Sequence, residues 1–170
     1  VDLLIDAAQS LYEKGYRNFV VRIAGKCKDW ASYNSKIHYP ELFDLRIEHI
    51  PNEAVADLFA TSDYFVMPYQ DIAQSGAITV AFRYNIPIIL SDLPQFKPFV
   101  QDGINGIYFE KGSVIDLETK MEYVINGGEQ LNVELKKGLA TFVEKNYSTP
   151  AISSNYYSYF KSILVNTKGE

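Results

Sequence analysis

The residues best equipped for chemistry stand together at Gln74-Ser75-Gly76-Ala77, where a polar turn from Gln70 to Gln74 gives way to a helical pattern. A small, glycine-bearing helix start at the carboxyl end of a strand offers backbone N–H groups that no helical carbonyl takes up, and the helix dipole adds positive potential there. Ser75, Gly76 and Ala77 therefore form a candidate phosphate site. A second turn, at Gly25 after the run Phe19–Ala24, is open to two readings: a tight turn that the backbone alone requires, or a loop that approaches a ligand. Other reactive side chains are isolated. Cys27 is the lone cysteine and has no His or carboxylate near it in a recognisable motif. His38 and His49 are neither paired at metal-ligand spacing nor next to a cysteine, so no protein-bound metal is expected.

These turns need strands and helices to hold them. Tyr64–Tyr69 is aromatic and branched, which suits a strand buried on both faces of a parallel sheet. Ala77, Val80, Ala81 and Tyr84 then recur at the spacing of one buried helix face ending near Asn85, and Pro87–Leu90 is the next strand. Upstream, Leu3, Leu4, Ala7, Ala8 and Leu11 predict a helix stopped by Gly15, followed by a strand over Phe19–Ala24. A weakly patterned helix is expected within Lys26–Tyr39 and a strand over Leu45–Ile50. Pro51 and Asn52 open a helix with Ala54, Val55, Leu58 and Phe59 facing inward.

Beyond Asp92 the segment LPQFKPFV has room for one helical turn, and Asp102–Gly106 reads as a turn before the strand IYFE. Helices over Val114–Ile125 and Leu131–Val143 are separated by Asn126-Gly127-Gly128. Pro150 introduces a last helix from Ala151 to about Val165. Its Tyr156, Tyr157, Tyr159 and Phe160 are read either as core or as a docking face for an absent partner domain, several being adjacent in sequence rather than on one face. The alternation of strand and helix predicts an α/β fold, a doubly wound parallel sheet with helices on both faces and C-terminal helices appended, which binds ligands beyond the carboxyl ends of its strands.

A chain of 170 residues is expected to be one domain, and its 47% hydrophobic and 22% charged content is that of a folded protein. No apolar run approaches the ~18 residues that would cross a membrane. The net charge of −5 argues against nucleic acid, whose phosphates need clustered Lys and Arg. A lone cysteine and no signal-peptide pattern fit the cytoplasm. The chain opens without Met, inside an amphipathic pattern, so an upstream portion is expected to be missing.

Taken together, IPNEAVADLFATSDYFVMPY, the QSG helix start, PIILSD and DGINGIYF resemble the C-terminal domain of family 4 glycosyltransferases, with VDLLIDAAQSL as its opening helix and VVRIAGK as its first strand and glycine turn. The resemblance covers nearly the whole chain. It implies a Rossmann-like, donor-binding domain, one half of a two-domain GT-B enzyme. The diphosphate of a nucleotide sugar would lie at Ser75, Gly76 and Ala77, and the nucleoside near Gly25 and the loop after the strand ending at His49-Ile50. Lys26 and Lys28 would either help neutralise the diphosphate or be solvated, since the family's own basic residues fall upstream of Val1. Gln74 would bond a ribose or phosphate oxygen or cap the helix.

Two glutamates that many members use for donor contacts align with Ile72 and Val80, neither of which accepts a hydrogen bond. Asp71, one place earlier, is either a sugar-hydroxyl acceptor or a solvated turn residue, and Val80 is read as core. Lys97-Pro98 replaces a frequent Pro-Glu pair. The expected function is retaining sugar transfer from a nucleotide-diphosphate sugar to a glycan or glycoconjugate in surface polysaccharide synthesis, with the missing N-terminal domain holding the acceptor and the isolated chain inactive. No cofactor is expected beyond the donor, and membrane association would come only through the missing domain. The alternative is a nucleotide-sugar-binding or regulatory domain that keeps the fold without turnover.

Overall fold

The computed structural model describes residues 1–71 and 76–166. Strand β4 (Ile88–Ser91) lies between β3 (Phe65–Met67) and β5 (Gly106–Phe109), all parallel, with Phe65 opposite Ile88 and Ile88 opposite Gly106. Every residue of β4 and β5 is buried. Because successive strand residues point to opposite faces, Ile89, Ile107 and Phe109 enter one apolar layer while Ile88, Leu90 and Tyr108 enter the other. On the first layer lie α1 (Asp2–Glu13) and the first half of α5 (Val114–Tyr147), through Ile5, Leu11, Leu117 and Met121. On the second lie α4 (Ala77–Arg83), through Ile78, Ala81 and Phe82, and the later part of α5 through Leu139. Helices thus cover both faces, as the β–α alternation predicts.

The sheet itself differs from the expected one. Strand β1 (Val21–Ala24) pairs in parallel with β2 (Phe43–Arg46), Val21 opposite Phe43, but this pair forms its own two-stranded sheet. Among the described residues, β1 has β2 as its one strand partner and β3 has β4. Strand β3 is therefore an edge and not the sheet centre, and of its three residues Met67 alone is fully buried. The same opening affects α3 (Asn52–Ala60): Ala54, Val55, Leu58 and Phe59 are half-buried, and no residue of this helix is fully buried.

Helix ends follow their chemistry. Gly15, at φ +100°, ends α1 by sending its N–H to the Tyr12 carbonyl, while the N–H of Tyr16 reaches Leu11. Asn85, at φ +53°, does the same for α4, with N–H bonds from Asn85 to Phe82 and from Ile86 to Ala81. The buried face of α4 is Ile78, Ala81 and Phe82; Ala77, Val80 and Tyr84 are half-buried, so Val80 is not core. The reason is non-local: Phe82 packs edge-on against Phe142 at 5.9 Å and Tyr147 at 5.7 Å, both on α5.

The helix expected within Lys26–Tyr39 shrinks to α2 (Trp30–Asn34), and the strand expected over Leu45–Ile50 is β2, which stops at Arg46. The two expected helices, Val114–Ile125 and Leu131–Val143, both lie within α5, which is divided at Gly128 (φ +56°, ψ −149°) as the Asn126-Gly127-Gly128 break predicts. In the turn before β5, the fully buried Asn105 accepts from the Gln101 N–H at 2.6 Å and donates to the Phe99 carbonyl at 3.1 Å, and Asp102 accepts from the Tyr108 N–H at 2.8 Å. The last helix, α6 (Thr149–Asn166), carries Ile152, Tyr156, Tyr159, Phe160 and Ile163 at steps of three and four residues. All five are exposed, so the aromatic residues do share a face; Tyr157 lies beside it.

Candidate functional site

A cavity of about 1490 Å³ separates the two sheets. At one end it is lined by the turn after β1 (Gly25, Lys26), the loop after β2 (His49, Ile50), the end of β3 (Pro68) and the start of α4 (Ala77, Val80). These are the carboxyl ends of parallel strands, where α/β folds bind ligands. The structure thus brings together Gly25, Lys26, Ile50 and Ala77. Gly25 takes φ +129°, a conformation that favours glycine, and its N–H bonds the Arg46 carbonyl at 3.0 Å, so the turn is fixed against the end of β2. Lys26 is exposed, Ile50 half-buried and Ala77 half-buried.

Gly76 immediately precedes α4 and is exposed, with space around its Cα: a Cβ added there would meet nothing within 4 Å. Its carbonyl accepts from the Thr79 hydroxyl at 2.7 Å and the Val80 N–H at 3.3 Å. Asp71 is exposed and stands outside the cavity wall. Gln74 and Ser75, with Ile72, lie outside the described residues. His49, set aside above because it has no metal-ligand spacing, stands exposed at the cavity mouth beside Ile50. The signal that finds it is its place in a loop following a strand. Among the described residues, no three His, Cys, Asp or Glu side chains are grouped to hold a metal ion, and no helix is long and apolar enough to cross a membrane.

Arg22 on the cavity wall and Lys97 away from it have structural partners. Arg22 on β1 bonds Asp44 on β2 at 2.6 Å and reaches Thr61 Oγ1, just past α3, at 2.7 Å. That guanidinium, with Arg46 second, holds the Asp44 carboxyl below the usual carboxylate range. Lys97, in the position of the altered Pro-Glu pair, forms an ion pair with Asp92 and lies 4.0 Å from the centre of the Tyr108 ring. Burial, with Asp92 and Asp102 nearby, pushes the Tyr108 phenol up to about 12.

The sequence profile described as Glycosyl transferases group 1 matches residues 1–127. No curated protein matches by sequence. Several solved structures do match in fold. TarM, of S. aureus, superposes with a TM-score of 0.76 at 20% identity, over 94% of this chain and 32% of its own. Anabaena HepE, solved with UDP, gives 0.73 at 14% identity over 94% and 44%. The C-terminal domain of LpcC, a group 1 family glycosyl transferase of Francisella tularensis, gives 0.73 at 15% identity over 87% and 79%. The chain therefore has the GT-B C-terminal fold and spans less than half the length of TarM and HepE.

Proposed function

Because the chain belongs to the group 1 glycosyl transferases, we propose that it is the donor-binding half of a two-domain, retaining enzyme of the family 4 type, taking a uridine diphosphate sugar. The observation that carries this reading is the convergence of Gly25, Lys26, Ile50 and Ala77 at the carboxyl ends of the strands. The choice of uridine follows the UDP found with HepE and with a TarM variant. In this reading the nucleoside lies between the Gly25 turn and the His49-Ile50 loop, and the diphosphate faces Gly76 and Ala77. Lys26 adds positive charge at the mouth. The chemical step breaks the bond between the anomeric carbon and the diphosphate oxygen. The N–H groups at the start of α4 stabilise the negative charge that develops on the departing oxygen, and the acceptor hydroxyl, held by the other half, attacks the anomeric carbon and passes its proton to the departing diphosphate.

The exposed stripe of α6 is then the face turned toward the missing half, and the product is a glycan or glycoconjugate of surface polysaccharide synthesis. Calorimetric titration of the full-length protein with uridine, guanosine and adenosine diphosphate sugars tests the proposal. Binding is expected for the uridine series and for no other, and no binding to any donor refutes the reading. Gly76→Glu places bulk and negative charge in the diphosphate position and is expected to abolish binding while leaving the melting temperature within a few degrees, as its open surroundings allow. Unchanged affinity in that variant would show the diphosphate to lie elsewhere.

A further inference from the structure

The chain holds two Asn-Gly steps, Asn105-Gly106 and Asn126-Gly127, and they stand in opposite surroundings. An asparagine before glycine readily loses its side-chain amide, because glycine has no side chain to keep its backbone nitrogen from the asparagine Cγ. The loss also needs a loosely held amide and a backbone able to turn. Asn105 has neither: it is fully buried, its amide is bonded to the Gln101 N–H and the Phe99 carbonyl, and Gly106 is held in β5 opposite Ile88. Asn126 is exposed, and its Nδ2 donates to Tyr16 Oη through a long bond of 3.3 Å. Its backbone ends the first part of α5, just before Gly128 leaves the helical conformation, and helix ends open at the lowest cost. Packing requires the glycine at 127: a Cβ there would stand 2.5 Å from Leu131 Cδ2 and 2.7 Å from Leu131 Cβ. The helix break therefore places an unshielded nitrogen directly after an exposed asparagine.

We propose that Asn126 is a site of spontaneous covalent modification, converted to aspartate and isoaspartate without an enzyme, and that the fold protects Asn105 from the same fate. The Gly127 nitrogen attacks Asn126 Cγ. A new N–Cγ bond forms, the Cγ–Nδ2 bond breaks, and ammonia leaves with the proton that the backbone nitrogen gives up. Water then opens the cyclic imide. Addition at Cγ restores the chain path with an aspartate, and addition at the main-chain carbonyl carbon leaves isoaspartate, whose chain runs through Cγ. Either product carries a carboxylate. Tyr16 Oη already donates its one proton to Glu122 Oε1 at 2.6 Å. An amide at 126 donates to that phenol oxygen and a carboxylate cannot, so the bond to Tyr16 is lost and a further negative charge stands beside Glu122. Tyr16 belongs to the turn that closes α1, so the change weakens the hold of α1 on α5, which Lys14 and Glu118 also join. Tyr16 precedes β1, which puts the modified residue at the amino ends of the strands, away from the cavity mouth. The inference concerns the ageing of the fold and is independent of the donor assignment.

Peptide mass spectrometry of the full-length protein, incubated in mildly alkaline buffer and sampled over time, tests it, with isoaspartate scored by enzymatic methylation. In the native protein Asn126 is expected to convert at least ~10-fold faster than Asn105, and in concentrated urea the two rates are expected to meet, because the difference is one of local opening. Equal native rates overturn the proposal. So does an Asn126 that keeps its amide in the native protein while it converts in urea. The rate measurement needs no variant. Asn126→Asp carries the charge of the product without the altered chain path and is expected to melt ~2–4 °C below wild type, since it loses the bond to Tyr16. An unchanged melting temperature overturns the part assigned to Tyr16 and Glu122.

Discussion

Gly138→Ala is expected to destabilise the chain although it places a better helix former in a helix. At an open helical site this exchange gains about 1 kcal/mol. Here α5 packs its backbone against the turn before β5. A Cβ at position 138 would overlap the carbonyl oxygen of Ile104, lie 2.8 Å from its carbonyl carbon and meet its Cγ2 at 3.2 Å. The carbonyl cannot simply swing aside. The Ile104 N–H is bonded to Gln101 at 3.1 Å, and the next residue, Asn105, is buried and bonded on both sides. Relief must come from displacing the helix or the turn, an overpacking cost of about 1–3 kcal/mol or more that outweighs the propensity gain. Taken at the upper end of that range, because the overlap is with a fixed carbonyl, the cost leaves a net loss of about 2 kcal/mol after the propensity gain, which lowers the melting temperature by roughly 4–8 °C in a chain of this size. Thermal melting by circular dichroism, with the exposed neighbour Lys137→Ala as the reference, measures it. An unchanged or raised melting temperature in Gly138→Ala would refute the close approach of α5 to Ile104.

Two further stability effects follow from buried polar groups. Asn105→Ala removes both hydrogen bonds of a fully buried side chain and strands the Gln101 N–H and the Phe99 carbonyl, at a cost of about 2–4 kcal/mol in urea unfolding; a loss below about 0.5 kcal/mol would contradict the bonding described. Tyr108→Phe loses the bond to the Val100 carbonyl, 3.1 Å away, at about 1 kcal/mol near neutral pH. The wild-type phenol ionises more readily unfolded, near its ordinary 10.0, than folded, where it is raised to about 12. Its contribution is therefore fully present below pH 10 and is lost as the pH rises toward 12. The stability difference between the two proteins should shrink over that interval, and a difference constant from pH 8 to 12 would be inconsistent with a buried neutral phenol.

The parts of the fold legible in the sequence are those set by local chemistry. The stop of α1 at Gly15, the end of α4 at Asn85 before Pro87, and the DGING turn each rest on a residue whose backbone or side chain closes the element itself. The position of β4 was legible as the strand expected over Pro87–Leu90, but the burial on both faces that was expected of Tyr64–Tyr69 belongs to β4 and β5 instead. Non-local properties were not legible. The end of β2 at Arg46 depends on how far β1 extends beside it, since Ala24 opposite Arg46 is the last pair. The rotation of α4 depends on Phe142 and Tyr147, some 60 residues away in sequence. Of the residues that line the cavity mouth, Gly25 and Ala77 follow from turn positions, whereas Ile50, with His49 beside it, was placed only through the family resemblance.

The two open edges also bear on how the chain behaves in a tube. Each is a row of main-chain donors and acceptors at strand spacing, bordered by half-buried Ile23, Phe65 and Val66, with no charge on β3 to discourage an approaching strand. While they remain open, any extended segment can pair with them, including one from another molecule. Because β1 and β3 are different surfaces, a strand shared between molecules makes a head-to-tail contact that need not close on itself. Concentration-dependent, open-ended assembly is the physical hazard of this domain while those edges are open, and covering them bears on solubility as much as on the donor.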